Sequence, residues 1–182
     1  RYETMRAVGD KMNARRLARQ NDIHLFESSG AIGGDDIEMA REEASRIGYP
    51  VMVKPCSGGG GKGVYPAVNE TELAAAVSSA SRIGRSLYHD DTFYLERFIT
   101  NPVHIEVQIF NGWAIGIRKC AVQRRNQKII EESGHAFLSD HVALSLLAAA
   151  EKIADLSGYG NGGGAGTVEF LFDTETGRFG FM

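Results

Sequence analysis

With 182 residues, 43% of them apolar and 24% charged, the chain can build one large or two small globular domains. A formal net charge of −3 excludes a dedicated nucleic-acid binder, whose footprint is a basic surplus, and no apolar run approaches the roughly 18 residues of a membrane span. Cys56 and Cys120 lie far apart with no histidine at metal spacing, which predicts two inert small hydrophobes in a reducing compartment rather than a zinc site or a disulfide framework.

In chain order, the spacing of Met5, Val8, Met12 and Leu17 predicts a helix over residues 3–20, and "IHLF" at 23–26 a short strand. "GGDDIEMAREEASRIGYP" has acidic residues at its start, apolar positions at Ile37, Ala40, Ala44 and Ile47, then Gly48 and Pro50, which predicts a helix with both ends marked. Strand "VMVK", four glycines and strand "VYPAV" follow. Asn69 with Glu72 three residues later marks the start of a helix running to about Ile83. "FYLERFI" reads as a strand. "VHIEVQIF" alternates and is joined by Asn111-Gly112 to "WAIGI", a tight-hairpin signature. A strand through "QKIIEE", a helix over 140–157 and a hairpin around "TETG" complete the chain. This mixture predicts an α+β fold with antiparallel sheets. The chain starts at Arg1 and stops at "GRFGFM", which reads as a piece of something larger.

The stretch "VMVKPCSGGGGKGV" at 51–64 is the strongest chemical signal. A P-loop is excluded: Cys56 stands where its first glycine belongs, and Gly63 replaces the Ser or Thr after Lys62. Gly58, Gly60 and Gly63 satisfy G-x-G-x-x-G, but a β-type segment with Pro66 follows where a dinucleotide fold opens a helix. What the flanks support is a hairpin tip whose bare N–H groups fold over nucleotide phosphates, with Lys54 and Lys62 adding charge. A mobile loop with no ligand is the competing reading. Glu169 carries a second signal, because a carboxylate between Val168 and Phe170 in an apolar strand is costly unless a cation pairs with it.

"GDK" at 9–11, "GYPVMVKPCSGGGGKGV" at 48–64, "YLERFI" at 94–99, "NPVHIEVQ" at 101–108, "QRRNQKIIEE" at 123–132 and "GAGTVEFLF" at 164–172 occur in one order. Together they resemble the biotin carboxylase family, the ATP-grasp enzymes or enzyme parts of acetyl-CoA, propionyl-CoA, other acyl-CoA and pyruvate carboxylases. The resemblance covers essentially the whole chain and implies an incomplete α+β ATP-grasp fold: antiparallel sheets, helices and a glycine-rich lid. It divides the chain into a helical lead-in (1–26), the lid subdomain (27–98) and the N-terminal part of the body (99–182).

The resemblance also assigns roles. Lys11 and Lys54 contact ATP phosphates, and Gly60 and Gly61 close over them. The segment Glu96, Arg97, Phe98 and Ile99 reads the adenine edge through its backbone, with an acidic side chain assisting. His104 contacts the nucleotide, Asn126 stands on the nucleotide side where the family has His, Lys128 holds bicarbonate, and Glu169 ligates Mg2+ or Mn2+. Taken alone, His104 and Lys128 read as surface residues and "YLERFI" as a half-exposed strand. The implied reaction is attack of bicarbonate on the γ-phosphate of ATP to give carboxyphosphate, whose breakdown delivers CO2 to biotin. The implied cofactors are ATP, Mg2+ or Mn2+, and biotin carried on a partner. A biotin carboxyl carrier protein or domain and a carboxyltransferase are the implied partners, in a homo-oligomer or multienzyme complex, in the cytoplasm or, in a eukaryote, the mitochondrial matrix.

Some features depart from the family. "IRKCAV" at 117–122 replaces "ERDCS", "GYGNGGGAG" is longer than "GYRGAG", and the Glu, Asn, Arg and further Glu that follow the last strand in the family lie beyond Met182. The 182-residue piece alone is therefore expected to bind nucleotide weakly and not to carboxylate. Half of a carbamoyl-phosphate synthetase and a non-catalytic scaffold domain are the alternative readings. The acyl acceptor is not legible.

Overall fold

The structure is a computed structural model that describes residues 8–124, 127–159 and 164–182. The chain forms two compact units: one contains residues 10–12 and 26–99, the other residues 13–25 and 100–182. Residues 13–25, expected in a lead-in, thus group with the second unit.

In the first unit, strands β1 (Val51–Pro55), β2 (Tyr65–Ala67) and β3 (Phe93–Arg97) form an antiparallel sheet in the order β2-β1-β3. The alternation in β1 sends Val51 and Val53 into a core with Phe93 and Leu95, under helices α2 (Ile37–Ile47) and α3 (Glu70–Tyr88). Met52 and Lys54 fall on the other face, where their cross-strand partners are Glu96 and Tyr94. That face is covered too, since Tyr94 and Glu96 are buried, so "YLERFI" is not the half-exposed strand its composition suggested. Both predicted helix starts are capped: Asp36 accepts from Met39 N–H and Asn69 from Glu72 N–H, each at 3.0 Å. Glu72 reaches back to the N–H of Val68 (3.1 Å), one residue short of a reciprocal capping box. The glycine loop is the tip between antiparallel β1 and β2, as expected.

Helix α3 passes the predicted end at Ile83 and stops at Tyr88, where His89 adopts φ 56°. Gly84 is what allows both: a Cβ there would overlap the carbonyl oxygen of Asp90, because the turn after the helix lies directly on it.

In the second unit, β4 (Pro102–Phe110), β5 (Trp113–Arg124), β6 (Gln127–Ser133), β7 (Ala165–Asp173) and β8 (Arg178–Phe181) form an antiparallel sheet in the order β6-β5-β4-β7-β8. Helix α4 (Asp140–Leu156), capped by Ser139, covers one face, packing Leu146 and Ala150 against Ile105, Val107, Ile109, Val168 and Phe170. Asn111 and Gly112 take φ 51° and 86°, as a two-residue hairpin turn between strands of right-handed twist demands. Within the predicted 3–20 helix, Val8 and Gly9 are helical, the chain bends at Asp10, and Lys11–Gln20 form a regular helix (α1). Residues 23–26 form no sheet strand; Ile23 enters the core and His24 O accepts a hydrogen bond from Phe181 N–H (2.9 Å) at the β8 edge.

Replacing a helical glycine by alanine ordinarily adds about 1 kcal/mol of stability. At Gly84 the sign is expected to reverse, with Gly84→Ala costing about 1–3 kcal/mol through overpacking. A higher urea midpoint for the variant would show that the turn does not rest on the helix.

Candidate functional site

In the first unit the Lys54 ammonium bonds Glu96 on the adjacent strand. Lys11 joins them, its Nζ 3.5 Å from the carbonyl oxygen of Pro55 at the end of β1. Burial lowers the pKa of Lys11 below the usual lysine value, and the charge of Lys54 pushes it the same way. Two ammonium groups and one buried carboxylate therefore meet at the foot of the glycine hairpin. In the loop itself Gly60 and Gly61 have φ 66° and 69°, a region L side chains rarely adopt, and a Cβ at Gly60 would meet nothing within 4 Å. In the segment expected to read adenine, the N–H groups of Arg97 and Phe98 are already engaged, to Glu27 O (2.8 Å) and Pro50 O (3.2 Å). The Arg97 side chain is held by Glu27 and the Ile47 carbonyl, Ile99 is buried, and the acidic side chain, Glu96, belongs to Lys54.

The second unit assembles its charges on the sheet face away from α4. The β4–β7 register sets Glu106 directly opposite Glu169, and the β4–β5 register sets Glu106 opposite Arg118. Lys128 of β6 contacts both carboxylates. Arg118 donates to Glu106 and Gln108, at 2.8 and 2.7 Å, and its Nε pairs with Glu131 at 3.0 Å. His104 lies beside them, with Nδ1 2.9 Å from the Gln123 amide and Nε2 3.6 Å from Glu169 Oε2. The His104 imidazole, then Lys128, hold the Glu169 carboxyl at about 2 against the opposing effect of burial.

The structure thus brings Lys11, Lys54 and Glu96 together in one unit, and His104, Lys128 and Glu169 in the other. Asn126 lies outside the described residues. One premise needs correction: Glu169 is not deeply buried, with its side chain 40% exposed, and the cation paired with it is Lys128. The buried acid is Glu106, 3% exposed, which the sequence reading passed over. Ile105 and Val107 flank it as Val168 and Phe170 flank Glu169, but such neighbours face the opposite side of the sheet and do not reveal what covers the acid. Arg118 was also missed, having been read as part of a departure from the family pattern. His104, Glu106 and Cys120 bring potential ligand atoms within 4.8 Å of one another, a proximity that chain spacing does not reveal. Glu106 is, however, already claimed by two cations, Arg118 and Lys128, and burial pushes the Cys120 thiol up to about 11.

Known proteins share this fold. Its α+β architecture matches the biotin carboxylase–β,γ-ATP complex of Campylobacter jejuni with a TM-score of 0.90 and 38% identity, covering 98% of this chain and 40% of that one. It also matches the biotin carboxylase domain dimer of Hydrogenobacter thermophilus 2-oxoglutarate carboxylase, in complex with MgADP, ADP and bicarbonate (TM-score 0.89, 32% identity, 99% and 40% covered). The fold is an incomplete ATP-grasp fold. The family model of the carbamoyl-phosphate synthase L chain ATP-binding domain matches residues 10–182, and the chain belongs to that family. It is similar to the mitochondrial methylcrotonoyl-CoA carboxylase subunit alpha of Arabidopsis thaliana, 40% identical over 184 residues, covering 98% of this chain and 24% of the relative. The chain thus spans about a quarter of that relative's length.

Removing one partner of a buried ion pair costs about 3–5 kcal/mol, whereas an exposed pair is worth about 0–1. Glu106→Gln should therefore lower the urea midpoint far more than Glu131→Gln, whose side chain is 37% exposed; equal shifts would refute the burial argument. Cys120 should also resist iodoacetamide at pH 8 until the protein unfolds, and rapid alkylation of Cys120 itself in the native Cys56→Ser variant would contradict its burial and raised thiol pKa.

Proposed function

We propose that this chain is the ATP-binding part of a biotin carboxylase, which uses ATP and bicarbonate to carboxylate biotin on a carrier protein or domain. The observation that carries this reading is the meeting of Lys11 and Lys54 at the foot of the glycine hairpin. Two like charges crowded in a half-buried place beside Glu96 disfavour one another, and an incoming anion would relieve that repulsion. A triphosphate supplies that charge, and the bare N–H groups of a loop containing Gly60 and Gly61 can approach its oxygens closely.

In the other unit, Lys128 would present a point charge to bicarbonate, giving up its contacts with Glu106 and Glu169 in part. Arg118 stays on Glu106 and keeps that acid compensated when Lys128 turns to substrate. The Glu169 carboxylate, ionised and 40% exposed, is a hard oxygen donor of the kind Mg2+ and Mn2+ take, so it fits one ligand of such an ion. Bound there, the ion would neutralise charge on the phosphate oxygens. The protein's share is orientation and electrostatic stabilisation, with a closed glycine loop keeping water from carboxyphosphate. The carboxylase names of the relatives are in keeping with carrier and carboxyltransferase partners for the parent, which we place in the cytoplasm or, for a eukaryotic source, in the mitochondrial matrix, since some relatives are mitochondrial. None of the helices formed by the described residues is long and apolar enough to cross a membrane.

The test is ADP release by the complete natural polypeptide that carries this chain. Release should require bicarbonate and rise with free biotin, Lys54→Ala should raise the KM for ATP at least about tenfold, and Lys128→Ala should raise the KM for bicarbonate by a similar factor, each equivalent to one lost charge-assisted contact. Turnover indifferent to both bicarbonate and biotin would overturn the reading, and indifference to biotin alone would favour a carbamoyl-phosphate synthetase.

A further inference from the structure

The glycine hairpin is anchored by a residue outside it. After α3 the chain turns at His89, and the N–H of Asp90 donates to Gly84 O (3.4 Å). The Asp90 carboxylate then collects three donors: Ser57 Oγ at 2.5 Å, Thr92 N–H at 3.0 Å and Thr92 Oγ1 at 2.7 Å. Beside it the N–H of Cys56 donates to Thr92 O (3.0 Å). Ser57 is the residue from which the glycines begin, so this turn fixes the point where the loop leaves β1.

The packing continues one residue into the loop. Gly58 has φ 110°, and a Cβ on it would lie 2.5 Å from the Tyr88 ring, so the loop root lies flat on the last turn of α3. At the far end Gly63, φ 77°, is as tightly placed, its would-be Cβ 2.8 Å from Pro55 and 3.0 Å from Ile83. Between these ends, a Cβ at Gly59 or Gly60 would meet nothing within 4 Å. Both roots are packed, and the tip has room.

We propose that Asp90 is a positioning residue for nucleotide binding: its carboxylate, bonded to Ser57 and Thr92, fixes the root of the glycine loop so that only the tip rearranges over phosphate. This rests on the reading of the loop as a phosphate grip. The physical gain is preorganisation. A root already ordered in the empty protein spares the nucleotide the entropy of ordering those residues, which would otherwise be subtracted from binding. Burial pushes the Asp90 carboxyl up, but the hydrogen bonds from Ser57 and Thr92 outweigh it and keep the group ionised as a strong acceptor.

The experiment measures hydrogen exchange of the nucleotide-free complete polypeptide, together with its Kd for fluorescent Mg-ATP, for the wild type, Asp90→Ala, Asp90→Asn and Ser57→Ala. Asp90→Ala should speed exchange at residues 56–58 and raise the Kd by about tenfold, the equivalent of one charge-assisted hydrogen bond, while exchange within α3 stays unchanged. Asp90→Asn, which retains an acceptor, should fall between the two. Ser57→Ala should add nothing when combined with Asp90→Ala. Unchanged root exchange in Asp90→Ala, exchange raised equally along α3, or a loosened root with an unaltered Kd would each overturn the positioning role. A wild-type protein that fails to bind Mg-ATP would instead overturn the nucleotide reading, whatever the exchange at the root shows.

Discussion

Two carboxylates facing each other on neighbouring strands set the terms for the five-stranded unit. Glu106 and Glu169 are direct cross-strand partners, and like charges so placed repel unless a cation intervenes. With Glu106 almost fully buried, repulsion adds to the cost of desolvation. Lys128 between the two acids and Arg118 on the far side of Glu106 make the arrangement stable. A hydrophobic row would have been a simpler way to cover this face, and buried ion pairs rarely improve on one. What charges gain over such a row is chemistry: an ammonium that can be shared with an incoming anion and a carboxylate held ionised far below neutral pH.

The first unit applies the same logic with the signs reversed. There two lysines, Lys11 and Lys54, are crowded around the buried Glu96. Crowding them beside a loop of glycines is a poor device for stability, because the lysines disfavour one another. It becomes reasonable once an anion completes the set. In the function proposed above that anion is the triphosphate of a nucleotide, and each unit carries its own charge pattern independently of that reading.

Much of this was legible in the sequence because local signals were strong. Asp36 and Asn69 announced their helices through short polar side chains ahead of apolar periodicity. Asn111-Gly112 announced its hairpin through the need for two positive φ angles. The glycines at 58–61 were readable as a hairpin tip because β-type residues follow them. Other features depended on partners distant in the chain. The end of α3 was misjudged because Gly84, a helix breaker by propensity, is there to admit the Asp90 carbonyl. "IHLF" looked like a strand by composition, yet it forms no ladder with the sheet and meets the β8 edge through the hydrogen bond from Phe181 N–H to His24 O. Glu106 escaped notice because an alternating strand normally turns its polar positions to water, and nothing in "VHIEVQIF" says that Arg118 and Lys128 will close over it.

The central claim, that lysines at the foot of the glycine hairpin grip the phosphates of a nucleotide, is tested most directly by hydrogen exchange on the complete polypeptide with and without saturating Mg-ATP. Slower exchange at residues 57–63 in the presence of the nucleotide is the expected result. Identical exchange along that loop, at nucleotide concentrations that saturate known ATP-binding proteins, would contradict it.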